Sequence, residues 1–309
     1  MKEAILKILA AREGRTVSGV DISSQVGISR VAVWKHLKGL KEEGYAITAS
    51  SKGYRLEEGD DLLLPFCFEN RKQGIHFFPS LPSTMDRARQ VAKQGKGSSH
   101  LNVVIAGEQT EGRGRLHREW VSSSGGLWFT MILKPDLPPA LSFKVNFAAS
   151  LCLARTVQTL FNINARVKWP NDILVDGKKL AGLLSEMETK GDMISFVNIG
   201  VGLNVNNFPG KETVDAVSLR EILGRKVMRK ELLSSFLDSF ESKLSTINTE
   251  DIIGQWKKYT ATIGTRVRIE TLTDISHGLA TDVDETGCLV LQEDNGNRKK
   301  VIYGDCFHQ

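Results

Sequence analysis

Apolar residues near the start of the chain recur at three- and four-residue intervals. Ala4, Ile5, Ile8 and Leu9 line one side of a predicted first helix. A second helix is predicted from Ser18 to Val26, burying Val20, Ile22 and Val26, with Gly27 supplying the turn that follows. Ser29 is a good cap for a third, in which Val33, Leu37 and Leu40 fall at i, i+4 and i+7 on one buried face. Helix, short glycine turn and helix at this spacing predict a helix-turn-helix. Tyr45-Ala-Ile-Thr48, a polar tip from Ala49 to Gly53, and Tyr54-Arg-Leu56 predict a hairpin, or wing, behind it.

Past a polar hinge at Glu57-Glu-Gly-Asp-Asp61 the pattern changes. Residues 66–255 mix helical stretches with apolar runs of strand length, the mark of a mixed α/β domain. Val167 to Val175 reads as a strand broken by a turn at Pro170-Asn-Asp172, and Lys178 to Leu184 returns beside it around Asp176-Gly177. From Val197 to Val205 the chain alternates, so Gly200, Gly202 and Asn204 share one face. From Thr262 short β-like runs follow one another: Arg266 to Ile269, Gly278 to Val283, Cys288 to Leu291 and Lys300 to Tyr303. Turns at Glu285-Thr-Gly287 and Asp294 to Asn297 separate them, which predicts a small antiparallel barrel over residues 260–309. The expected class is therefore α+β in three parts, beginning with a winged helix-turn-helix over residues 1–60.

Composition narrows the functional classes. The chain has 309 residues, 41% of them hydrophobic, yet no run approaches the roughly 18 apolar residues of a membrane helix. Charges interrupt the first ten residues, which suits an amphipathic helix and not a secretion signal. Four cysteines without a C-x-x-C pair read as reduced thiols of a cytoplasmic protein. The net charge of +5 permits a polyanionic partner without demanding one. Residues 1–60 hold ten Lys and Arg against eight Asp and Glu, so their positive charge matters only where it gathers, on the third helix. Ser29, Arg30, Trp34, Lys35 and Lys38 lie off that helix's buried face, and Lys52 sits at the wing tip. They are the candidates for DNA contact. Winged helices also serve as protein-contact modules, and exposed lysines are commonly just solvated.

Gly107-Glu-Gln-Thr-Glu-Gly-Arg-Gly-Arg-Leu-His-Arg-Glu-Trp120 has no apolar period and reads as a mobile loop. Glycine lets backbone approach an anion, and arginine offers a planar fork for carboxylate or phosphate. Such a segment can close over an anionic ligand; a Gly-Arg-Gly-Arg run alone serves nucleic-acid contact or a flexible connection equally well. Gly182 within an apolar strand marks a close approach of ligand or backbone, and Gly200 with Gly202 would floor a flat ring. Each piece alone is also compatible with an ordinary core hairpin.

Ser83-Thr84, Gly112-Arg-Gly-Arg115 through Trp120, Lys168-Trp-Pro-Asn-Asp172, Lys179-Leu-Ala-Gly182 and Gly202-Leu-Asn204 follow one another in that order. With them the chain resembles, over essentially its whole length, the bifunctional biotin–protein ligases that double as biotin operon repressors. The resemblance implies a class II synthetase-like sheet in the central catalytic domain and an SH3-like barrel at the C-terminus. It implies that ATP, with Mg2+ but no dedicated protein metal site, converts biotin to biotinyl-5'-AMP, which passes biotin to a lysine of a biotin carboxyl carrier protein. Biotinyl-5'-AMP would also be the corepressor, promoting a homodimer that binds operator DNA.

By the same resemblance Ser83, Thr84, Gln109, Gly112 and Gly182 serve biotin. Arg113 and Arg115 close over its tail and the activated phosphate, and Lys179 holds biotin carboxylate and α-phosphate as the central catalytic group. Arg118, Trp120, Lys168, Asn171, Asp172 and Asn204 serve the nucleotide. Two positions depart from the family pattern: Met85 stands where Ser-Thr-Asn has its amide, and His117 where the arginine loop has a glycine. A ligase whose first module no longer binds DNA, a biotin-sensing repressor without transfer, and a lipoate-type ligase are the competing readings. The retained Lys179 and arginine loop oppose the second of these, and the N-terminal helix-turn-helix opposes the third.

Overall fold

The computed structural model describes residues 1–12, 14–57, 61–94, 101–134, 137–191, 193–211 and 215–309, and only the backbone at 69, 117 and 211. The middle of the expected hinge, residues 58–60, and the side chain of His117 thus lie outside the described residues.

The N-terminal unit holds α1 (Lys2–Ala10), α2 (Gly19–Val26), α3 (Arg30–Glu42), β1 (Ile47–Ser50) and β2 (Gly53–Leu56). Serine hydroxyls set both helix starts: Ser18 accepts from the Asp21 N–H and Ser29 from the Ala32 N–H. Gly27 closes α2 at φ 71°, a left-handed conformation in which a side chain is strained. Ile5, Leu6, Leu9, Ile22, Val33, Leu37 and Leu40 form the core. Two expectations need correcting. Leu6 is buried where Ala4 was expected, and Val20, expected inside, is 55% exposed because α2 turns only its Ile22 side fully inward. The wing is bonded back to the chain before α2, since Val17 and Tyr54 exchange both backbone hydrogen bonds at 2.8 Å.

Three leucines then join the units. Leu62 and Leu64 belong to the N-terminal core, whereas Leu63 between them packs into the central one. Tyr45 meets Phe77 at 6.2 Å between ring centroids, and Lys72 pairs with Glu3 at 3.0 Å across the same junction.

The central unit contains β3 (Ile75–Leu81), α4 (Thr84–Lys93), β4 (Asn102–Gln109), β5 (Leu127–Leu133), α5 (Phe143–Phe161), β6 (Arg166–Lys168), β7 (Asp172–Val175), β8 (Lys178–Lys190) and β9 (Met193–Leu203). Helices α6 (Leu219–Leu223), α7 (Arg229–Ser245) and α8 (Ile252–Lys257) follow. Its sheet runs β3-β4-β5-β9-β8-β7-β6, with β3 parallel to β4 and every other pair antiparallel. Alternation divides its faces. Odd-numbered residues of β5 and β9, from Leu127 and Val197 onward, pack with α5 and α7, while Gly200 opposite them meets Met85 of α4. The segment expected to be all loop is partly sheet: Gly107, Glu108 and Gln109 finish β4, because Ser80 and Leu81 of β3 pair with Glu108 and Gln109.

At the C-terminus β10 (Arg266–Glu270), β11 (Ile275–Val283), β12 (Leu289–Glu293), β13 (Arg298–Val301) and β14 (Asp305–His308) form an antiparallel sheet ordered β13-β12-β11-β10-β14. Its core merges with the central one. Trp169 makes the seam, taking Thr262 Oγ1 on its backbone N–H and Gly287 O on its indole N–H, each at 3.0 Å. Here too the pattern misled: Ile302 and Tyr303, expected in a strand, are 77% and 47% exposed in the turn before β14, a strand the pattern did not predict. Among the described residues no helix is long and apolar enough to cross a membrane.

Candidate active site

A cleft of about 470 Å³ opens where α4, the arginine loop, the β6–β7 turn and β14 converge over the glycines of β8 and β9. At its inner end Ser83 caps α4, its hydroxyl accepting from the Met85 N–H at 3.2 Å. The Thr84 N–H and hydroxyl both reach Gln109 Oε1, at 2.8 and 3.0 Å, and the Gln109 amide donates to Ser122 at 2.8 Å. This chain fixes the orientation of the Gln109 amide and pins the far end of the arginine loop. Met85 is buried with its sulfur against Gly200, so the thioether fills space below the cleft where the family pattern has an amide.

Gly182 and Gly202 form the floor, and the Trp120 indole lies on it. A methyl at Gly202 would sit 2.4 Å from Trp120 Nε1, and one at Gly182 3.0 Å from the same ring. The indole N–H is buried without a hydrogen-bond partner, a cost that a bound acceptor atom would relieve. Lys179 stands above with Nζ 4.9 Å from the Trp120 ring centre and 2.8 Å from Asp172.

The arginine loop carries local backbone bonding of its own. Backbone bonds from Gly114 to Arg118 O (2.7 Å), Trp120 to Gly112 O (2.8 Å) and Gln109 to Ser122 O (3.0 Å) fold it into an irregular hairpin. Its three arginines have different surroundings. Arg113 grips Asp86 of α4 through two bonds of 2.7 Å, which raises its own pKa and lowers that of Asp86. Arg115 bonds Asn171 at 3.3 Å and Gly304 O at 3.1 Å, and burial pulls its pKa down against the pull of Asp305. Arg118 is half exposed and pairs with Asp305 at 2.6 Å. Arg115 and Arg118, with Lys179 and Lys168, thus gather four cations around one cleft. Such a cleft suits a ligand with two anionic groups and a flat ring system.

Of the expected ligand-binding residues, Ser83, Thr84, Gln109, Arg113, Arg115, Arg118, Trp120, Lys168, Asn171, Asp172, Lys179 and Gly182 all line the cleft. Two do not. Gly112 lies behind it, where a methyl would strike Trp120 O at 2.3 Å, so it serves loop packing. Asn204 is buried, its side-chain oxygen accepting from Asn207 at 2.9 Å, because it follows the end of β9 and turns away from Gly202. Sequence reasoning missed Asp305, Cys306, Phe307 and His308, which close the cleft from the C-terminal unit. Burial pushes the Cys306 thiol up to about 12 and His308 down to about 4, the Lys168 charge adding to the latter. The signal was the polar Gly304-Asp305 after an exposed apolar pair, too short a cue without the fold. Outside the cleft, Ser29, Arg30, Trp34, Lys35, Lys38 and Lys52 are all exposed, at the start and along α3 and at the wing tip.

Taken together, the fold and the cleft define a synthetase-type enzyme built to join two anionic substrates, carrying a winged helix on the same chain. Residues 77–204 match the biotin/lipoate A/B protein ligase family, 2–55 a helix-turn-helix domain and 262–309 the C-terminal domain of biotin protein ligases. The chain is 33% identical to the bifunctional ligase/repressor BirA of Bacillus subtilis, over 97% of this chain and 96% of that one. To the corresponding Escherichia coli protein it is 28% identical, over 94% and 92%. The Aquifex aeolicus biotin protein ligase, solved with biotin and ATP, superposes with a TM-score of 0.64 at 24% identity, covering 77% of this chain and 99% of that one. That last likeness concerns the fold alone. The chain belongs to the family of bifunctional biotin–protein ligases and repressors.

Proposed function

We propose that this chain activates biotin with ATP and transfers it to a lysine of a biotin carboxyl carrier protein, and that its N-terminal unit represses transcription in response to biotinyl-5'-AMP. Residues 1–60, 66–255 and 260–309 would act as its DNA-binding, catalytic and C-terminal parts, in the cytoplasm. The observation that carries the reading is Lys179, held by Asp172 over the Trp120 and glycine floor with Arg115 and Arg118 facing it.

Two anions must meet for the first step. A biotin carboxylate oxygen attacks the α-phosphorus of ATP and pyrophosphate leaves. Fixed cations lower the barrier because they need no reorganisation as charge moves from nucleophile to leaving group. Lys179 is released from Asp172 to hold carboxylate and α-phosphate together, and Arg118 exchanges Asp305 for the departing phosphates. Ser83, Thr84 and Gln109 orient the biotin head, while Gly182 and Gly202 seat the Trp120 indole against which the ligand would lie. In the second step the acceptor amine attacks the carbonyl carbon, AMP leaves with the C–O bond electrons, and the amine gives up a proton.

Mg2+ fits this cleft as an ion carried in by the nucleotide. Among the described residues no cluster of three or more His, Cys, Asp or Glu could cage a metal, whereas Asp172 and Asp305 offer hard oxygens at the cleft wall. Bound there, it would neutralise the phosphates. The arginine loop would keep water from the anhydride, and the liganded chain would form a homodimer on two-fold operator DNA.

The test is mass-detected biotin transfer to a purified apo carrier domain by wild type and Lys179→Ala, with and without ATP and magnesium. A mass gain that needs both, and collapses in the variant, supports the ligase. Biotin binding without any transfer would overturn it in favour of a sensing repressor.

A further inference from the structure

The exposed face of α3 alternates two chemistries, and only one of them is explained by the charge of a nucleic acid. Ser29 caps the helix, so Arg30 and Val31 are its first two residues. Val33, Leu37 and Leu40 point into the core. Arg30, Val31, Trp34, Lys35 and Lys38 form the opposite stripe, at spacings that keep them on one face. Within it Val31 is 64% and Trp34 52% exposed. No acidic residue occurs between Arg30 and Lys41, and Lys52 extends the positive charge to the wing tip.

A duplex is the partner this face fits. Arg30, Lys35, Lys38 and Lys52 complement phosphates, which fix register but carry no sequence information. Val31 can make no such contact and Trp34 only through its indole N–H, so leaving these apolar surfaces in water after docking would forgo most of what they can contribute. The N-terminal residues of a reading helix are the ones that reach base edges. In the major groove the one apolar group on a base edge is the C5-methyl of thymine.

We infer that Val31 and Trp34 read thymine methyl groups, which gives the N-terminal unit its sequence preference while the neighbouring cations give it affinity. This rests on the reading of that unit as a DNA-binding module and adds the base it selects. Lys38 lies 5.8 Å from the Trp34 ring centre, which suits an indole edge held toward the bases by a cation that itself faces the backbone.

Deoxyuridine tests this directly, because it differs from thymidine only by the methyl and pairs in the same way. Duplexes are first selected from a randomised pool with the full chain in the presence of biotin and ATP. Each thymine of the selected site is then replaced singly by deoxyuridine, and binding is read by fluorescence anisotropy. Burying one methyl corresponds to about a fourfold change in affinity, so at one or two positions wild type should weaken by about that factor. Val31→Ala should lose the penalty at one such position and Trp34→Ala at another. Both side chains are exposed, so neither substitution threatens the fold. The salt dependence of binding should be unchanged in Val31→Ala and shallower in Lys35→Ala.

Deoxyuridine without effect at every position would overturn methyl reading while leaving DNA binding standing. So would a penalty that persists undiminished in both variants. Failure to select any duplex would remove the DNA-binding premise itself and assign the stripe to a protein partner.

Discussion

At the scale of single residues, Lys179 and Gly202 carry the chemistry in opposite ways, one by charge and one by having no side chain. Lys179 places its ammonium 4.9 Å from the centre of the Trp120 ring and 2.8 Å from the Asp172 carboxylate. Removing one preorganised charge-stabilising donor costs about a hundred- to a thousandfold in rate. Lys179→Ala should therefore lose that much transfer activity, and single-turnover formation of biotinyl-5'-AMP is the measurement. A drop confined to the later transfer step would place Lys179 elsewhere in the reaction. At Gly202 an added methyl would stand 2.4 Å from the Trp120 indole, so Gly202→Ala must lift that ring. The expected result is at least tenfold weaker biotin binding and a shifted tryptophan emission. Gly210→Ala, where the nearest atoms of the described residues are 3.8 Å away, is the control that should change neither.

At the scale of elements, legibility followed the strength of the local signal. The cap at Ser29 and the turn at Gly27 were visible because one residue's chemistry decides each, while Ser18, read only as the start of its helix, turned out to cap it. Ser18→Ala removes the acceptor of the Asp21 N–H and should cost about 1 kcal/mol. Urea unfolding monitored in the N-terminal unit is the check, and an unchanged midpoint would mean that solvent replaces the cap. The hairpin of β7 and β8 was legible from Asp176-Gly177, and twelve cleft residues from the family motifs. What failed depended on distant partners. Gly107 to Gln109 joins the sheet because β3 lies alongside, and Asn204, just past the end of β9, is bonded to Asn207 outside the cleft. Strand β14 has four residues and no alternation long enough to see; pairing with β10 makes it a strand. Val20 shows the reverse, an apolar residue at helical spacing that the packing of α2 leaves in water.

At the scale of the whole molecule, the three units meet at polar junctions that a sequence pattern does not display. Asp61, the last residue of the expected hinge, takes the Arg229 backbone N–H and Nε at 2.6 Å each, while the Arg229 guanidinium also reaches Gly126 O at 3.1 Å. Arg229→Ala keeps the backbone N–H on Asp61 but removes its counter-charge, so it should destabilise by about 2–4 kcal/mol, seen as an early calorimetric transition. The C-terminal junction answers instead to pH. His308 sits between Thr262, 3.3 Å from its Nε2, and the cation of Lys168, and burial together with that charge lowers its pKa to about 4. In the unfolded chain the imidazole takes up its proton near pH 6.5. Between those values the unfolded state binds more protons, so stability rises with pH across the interval. The contribution is complete above about pH 6.5 and is lost as the pH falls toward 4. His308→Gln, which can still bond Thr262, should flatten the dependence of melting temperature on pH within that window and leave it unaltered above. Parallel curves for the two proteins would show that protons enter through other groups. A flattened one would mean that the lid of the cleft is held by a neutral imidazole, so that acid loosens the C-terminal unit before it unfolds the sheet beneath.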